Sequence, residues 1–184
     1  MLLEYALRET GLIGKNLTFL ENPDGKPYIA EYPKLHYNLS HSNRYAALVM
    51  DDCSVGIDVE ENRADCKKLV KRFFAEEECA ALEEQWSDAF FTKLWTRKES
   101  YLKAVGFGMR MPLAGFSTLK DYVELNDKMY SELIEPGAAY YLDSIQIDKD
   151  CWLSVCKKNE PVVLERENCL IRQVDVKKQF YKWL

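Results

Sequence analysis

Three short segments hold the residues with chemistry to offer. In WTRKESYLKAVG, Trp95 to Gly106, Lys98 and Lys103 bracket the carboxylate of Glu99. At 3.6 residues per turn a helix sets Trp95, Glu99 and Lys103 four apart on one face. Lys98 lies one step round, within expected reach of the same ligand. A carboxylate between two ammonium groups suits a metal ion shared with an anionic group such as a diphosphate. The same letters also fit an ordinary amphipathic helix with a Glu99–Lys103 pair.

In VGIDVE, Val55 to Glu60, the apolar Val55, Ile57 and Val59 alternate with Gly56, Asp58 and Glu60. Period two predicts a half-buried strand with both carboxylates on one face, about 7 Å apart. Two acidic groups side by side repel unless a cation or water intervenes. A small oxygen set with positions left for water and phosphate is what Mg2+ favours. The alternative is the solvated face of an edge strand. The apolar run AALVM just upstream and the turn residues Asp51 to Ser54 predict a hairpin of 45–50 with 55–60.

The third segment is YNLSHS, Tyr37 to Ser42. Hydroxyls, an imidazole and turn amides from Asn38, Ser40, His41 and Ser42 make a phosphate-binding set. A turn whose side chains bond their own backbone reads the same way.

In this order and at about these separations, the segments resemble the 4′-phosphopantetheinyl transferases of the surfactin-synthetase-activating type. Gly25 to Ile29 (GKPYI) matches a Gly-Lys-Pro segment of that family, and Arg72-Phe73-Phe74 with the following Glu-rich stretch agrees. The likeness runs from about Leu2 to about Lys157. It implies an enzyme that moves the phosphopantetheine arm of coenzyme A onto a serine of an apo acyl- or peptidyl-carrier protein, releasing adenosine 3′,5′-bisphosphate. The family's metal ligands fall on Asp58, Glu60 and Glu99, for Mg2+ or alternatively Mn2+. Its coenzyme A contacts fall on Lys26, Pro27, Ser40, His41, Lys98 and Lys103, with His41 at the 3′-phosphate. Glu99 and Lys98 are the expected catalytic pair: Glu99 takes the serine proton and Lys98 offsets charge on the diphosphate. Trp95 is read as packing support.

The resemblance implies an α+β fold of two similar halves related by a pseudo-twofold, with the cleft between them. Here the first half, 1–53, is expected to be short and the second to cover 54–184. Larger members carry further basic residues upstream, so weaker coenzyme A binding is expected, and a monomer or weak homodimer. Two other classes fit the same carboxylates: a non-catalytic coenzyme A- or carrier-binding protein, and a metal-dependent phosphohydrolase.

Composition narrows the field. A chain of 184 residues with 47% hydrophobic content can bury a sizeable core. No apolar run reaches membrane-spanning length and no secretory pattern opens the chain, so a cytoplasmic setting is expected. The six cysteines show neither CxxC nor zinc spacing, which fits reduced thiols. A net charge of −5 argues against nucleic acid as main partner. It also requires a locally basic surface for an acidic carrier, and Lys67, Lys68, Lys71 and Arg72 around Phe73 and Phe74 offer one. A solvated amphipathic helix is the competing reading.

Helices are expected over about 2–10, 66–72, 75–84 and 87–105, the last stopped by Gly106. Strands are expected over about 17–21, near Tyr28, and over 116–119, 122–125, 140–147 and 152–157. The tail Lys177–Leu184 is polar and aromatic.

Overall fold

The computed structural model describes residues 2–125 and 134–165. The tail Lys177–Leu184 and Cys169 lie outside them. The chain is α+β, as expected. The helices are α1 (Leu2–Glu9), α2 (Lys67–Phe73), α3 (Glu76–Glu84) and α4 (Asp88–Val105). The first strands are β1 (Phe19–Glu21), β2 (Pro27–Ile29), β3 (His36–His41), β4 (Ala46–Asp51) and β5 (Val55–Glu61). The later ones are β6 (Phe116–Ser117), β7 (Glu124–Leu125), β8 (Tyr140–Asp148) and β9 (Cys151–Lys158). The expected strands 116–119 and 122–125 shrink to a two-residue pair, with one further bridge from Tyr122 to Tyr141.

One expected pairing is overturned. β4 does not pair with β5: it closes an antiparallel hairpin with β3, so Tyr37 to His41 of the YNLSHS segment are strand rather than turn. β5 instead pairs with β9, and β9 with β8, giving the antiparallel order β5-β9-β8. The physical reason lies in Asn38 and Ser40. β3 runs beside β5 without a backbone ladder, and these two side chains take its place. Asn38 Oδ1 accepts from Ile57 N at 2.9 Å, and Ser40 Oγ from Val59 N at 3.3 Å. Buried strand amides are thereby satisfied by side chains.

Parity divides the sheet into two faces. Val55, Ile57 and Val59 of β5 join Cys151 and Val155 of β9 in one core. On the other face α4 packs across β5 and β9. Cys156 belongs to the α4-side core with Tyr101, Phe116 and Leu142. Cys151 and Cys156 therefore lie on opposite faces, both fully buried. A third core gathers Phe74, Leu82, Phe91 and Leu94, with Trp95 and Phe73 at its edge.

Gly56 sets how closely α4 can approach. A Cβ built there would lie 2.1 Å from Ser100 O and 2.3 Å from Ala104 N. Only hydrogen fits between strand and helix backbones at this point. The helix itself is well bounded. Ser87 caps its start by accepting from Phe90 N at 3.0 Å, and Gly106 ends it in the left-handed region at φ 79°. Polar contacts complete the interface: Thr96 Oγ1 meets Ser154 Oγ at 2.7 Å, which meets Ser144 Oγ at 2.8 Å.

Candidate functional site

β3, β5 and α4 converge on an open cleft of about 410 Å³. Its walls carry Ser40 and His41 from β3, Asp58 and Glu60 from β5, Trp95, Glu99 and Lys103 from α4, and Arg63 from the loop after β5. The helical spacing of Trp95, Glu99 and Lys103 and the strand parity of Asp58 and Glu60 thus meet in one place. Alternation sends Asp58 and Glu60 to the α4 face, and the hydrogen-only gap at Gly56 brings α4 near enough to face them.

Ser40 is the hub. Its hydroxyl accepts from Val59 N and from Lys103 Nζ (3.1 Å) and donates to Asp58 Oδ1 (2.8 Å). Lys103 Nζ also reaches Asp58 Oδ1 at 2.7 Å. Asp58 is only 4% exposed, and its second oxygen, Oδ2, is buried with no hydrogen-bond partner. A carboxylate oxygen without a partner in a dry setting is costly unless something positive meets it. Glu60 is turned onto Arg63, whose Nη2 lies 2.6 Å away. The oxygens of Asp58, Glu60 and Glu99 do not all converge within 4.8 Å; a group of three that does, Asp51, Asp52 and Cys53, already has Asp51 paired with Lys157 at 3.0 Å.

The electrostatics agree with an unmet demand for positive charge. Burial, and after it the charge of Asp58, pushes the Glu60 carboxyl above its ordinary range. The same two causes, in the same order, raise Glu99. The donor set is all oxygen, with one orphaned buried atom and room on the open side. That chemistry fits a hard divalent cation that keeps water or phosphate in its remaining positions.

Three expected site residues are not brought to the cleft. Lys98 is fully buried, with its ammonium on Glu78 Oε2 (2.6 Å), Leu113 O (2.7 Å) and Phe116 O (2.6 Å). The step of about 100° from Glu99 to Lys98 turns the side chain into the interior rather than beside the ligand. Glu78 accepts in turn from Thr118 N and Ala75 N, so the pair clamps α3, α4 and the 113–118 loop together. Lys26 also points inward. Its amine donates to Ala104 O (2.7 Å), Val55 O (3.1 Å) and Ser54 Oγ (3.2 Å), at the C-terminal end of α4. Carbonyls left over at a helix end attract such a cation. Pro27 opens β2, opposite Glu21.

Trp95 does pack as expected, stacked on Phe91 at 6.1 Å and edge-on to Phe73 at 5.7 Å, yet it also lines the cleft. Arg63 was not singled out by the sequence. A cation three residues past the second carboxylate was the available signal, and it resembles any solvated arginine.

A family model described as the 4′-phosphopantetheinyl transferase superfamily matches residues 54–156. The chain belongs to that superfamily. It is 32% identical over 155 residues to a 4′-phosphopantetheinyl transferase of Bacillus subtilis, covering 82% of this chain and 67% of that one. Sfp of Bacillus subtilis strain 168 is 30% identical over 152 residues, 81% of this chain and 66% of its own. The chain thus spans about two thirds of the length of these relatives. Among solved structures, a "Chronobacterium ammoniagenes ACPS-CoA complex" aligns over 57% of this chain and 95% of that one, with a TM-score of 0.47 and 16% identity.

Proposed function

We propose that this chain transfers the 4′-phosphopantetheine group from coenzyme A to a serine of an apo acyl- or peptidyl-carrier protein, with Mg2+ held by Asp58, Glu60 and Glu99. The observation that carries the reading is the buried, unpartnered Asp58 Oδ2 in a cleft shared with two further carboxylates. A bound divalent cation supplies charge neutralisation at the diphosphate and at its leaving oxygen.

The chain's own residues supply position and charge, which is most of what phosphoryl transfer requires. Ser40 fixes Lys103 and Asp58 relative to β5, so Lys103 can meet an anion without a search through rotamers. His41, exposed at the end of β3, holds the nucleotide's phosphate end in this reading. Glu99 is the proton acceptor for the serine hydroxyl. A carboxyl raised by burial is a better base at neutral pH than one in water.

The chain divides functionally at the turn between β4 and β5. Residues 1–53 supply the β3 wall, and those from 54 onward supply the β5–α4 wall. The carrier docks on α2. Lys67, Lys68, Lys71 and Arg72 form its exposed face, Val70 is buried, and Phe73 packs on the cleft-lining Trp95. An acidic partner steered there arrives beside the cleft.

The test is incubation with coenzyme A, Mg2+ and a panel of apo-carriers, followed by intact mass. One phosphopantetheine per carrier serine is expected, abolished by chelator and by Asp58→Asn. No mass gain on any carrier, with folded protein that binds coenzyme A, sinks the transferase reading.

A further inference from the structure

The cleft answers part of its own charge without a metal. Asp58 faces Lys103 and Glu60 faces Arg63, so two of the three carboxylates already meet a protein cation. The two pairs are built differently. Lys103 rises from α4, is held by Ser40 as well, and leaves the buried Asp58 Oδ2 without a partner. Arg63 lies in the loop beyond β5, with a side chain 49% exposed and its guanidinium 6.0 Å from the ring centre of Trp95. It lies directly on Glu60, whose own side chain is 19% exposed.

A cation that binds Glu60 Oε1 must compete with Arg63, which donates to that oxygen. Arg63 stays charged at any working pH, so once displaced it remains a cation at the cleft, available to another anion. Its planar fork suits phosphate oxygens. We propose that Arg63 is an exchangeable counter-ion: it covers Glu60 while the cleft is empty and moves to the anionic donor when a divalent cation takes that carboxylate. This rests on the transferase reading of the cleft. The exchange makes cation and diphosphate bind cooperatively, because each removes a penalty that the other would otherwise face. Such coupling is reciprocal.

The test titrates Mn2+ into the full chain and reads the free ion by electron paramagnetic resonance, without and with saturating coenzyme A. In the wild type, coenzyme A should tighten Mn2+ binding. In Arg63→Gln, Mn2+ alone should bind roughly threefold to tenfold more tightly, and the added gain from coenzyme A should shrink by about the same factor. Through-space repulsion by Arg63 would produce the first change and not the second. Equal Mn2+ affinities for both proteins, or an undiminished gain with coenzyme A, overturn the proposal. Carrier loading by the same wild-type sample tests the underlying reading separately. Coupling that is present in the wild type and lost in Arg63→Gln stands even if no carrier accepts the arm.

Discussion

Lys98 and Glu99 are neighbours in the chain and work on opposite sides of α4. Lys98 closes an ion pair with Glu78 in the interior, where both side chains have 0% exposure, while Glu99 lines the cleft. Their substitutions should separate accordingly. Lys98→Met leaves Glu78 unpaired in a dry site and should cost about 3–5 kcal/mol, read as a fall in the urea midpoint. Glu99→Gln removes a carboxyl that burial and Asp58 already disfavour, so stability should hold or rise slightly. Carrier loading by Glu99→Gln should fall by about 100-fold or more. A stable Lys98→Met with selectively lost turnover would return Lys98 to the reaction.

The buried amine of Lys26 gives stability a pH dependence of known sign. Burial is the largest cause and lowers its pKa from 10.5 to about 8, with Cys156 and Cys53 acting in the opposite direction. Below about pH 8 the amine is charged in both folded and unfolded chains, and the fold bears the full cost of burying it. Between pH 8 and 10.5 the unfolded chain binds more protons, so stability attributable to Lys26 rises with pH. Denaturant midpoints of wild type and Lys26→Met should therefore differ by an amount that shifts in favour of the wild type between pH 7 and pH 10. A constant difference would show that Lys26 does not titrate in this range.

Gly56→Ala should disrupt the site through the backbone. The added methyl would lie 2.1 Å from Ser100 O, and neither strand nor helix backbone can yield cheaply. Overpacking of this kind costs about 1–3 kcal/mol or more. The expected outcome is loss of both the folded baseline in circular dichroism and carrier loading. A folded Gly56→Ala with native turnover would mean that α4 can move away from β5 without harm.

His41 should show its role through the donor. His41→Ala is expected to raise KM for coenzyme A roughly tenfold, and much less for 3′-dephospho-coenzyme A, which lacks the group assigned to it. Equal losses with the two donors would remove His41 from the 3′-phosphate.

Much of the site could be read in the letters, because two periodicities meet there. Strand alternation placed Asp58 and Glu60 on one face, and helical spacing placed Trp95, Glu99 and Lys103 on another; the structure brings those faces together. What failed to show was direction within the helix. Lys98 is one letter from Glu99, yet its partner Glu78 lies twenty residues upstream, a contact that local spacing does not encode. The β3–β4 pairing was hidden for a similar reason. Asn and Ser normally signal a turn, but here Asn38 and Ser40 stand in for a missing backbone ladder on β5. The carbonyls around Lys26 are likewise invisible before the chain folds.

Because β5 feeds a dry apolar core from one face and the cleft from the other, its alignment is all-or-none. A slip by one residue against β9 would turn Asp58 and Glu60 toward Ile57's present neighbours and drive three branched aliphatic side chains into the cleft. An alignment off by one residue keeps neither carboxylate in place, so such a molecule should be inert rather than a sloppy catalyst. Fidelity of loading is in this sense guarded at the folding step, before any donor or carrier is met.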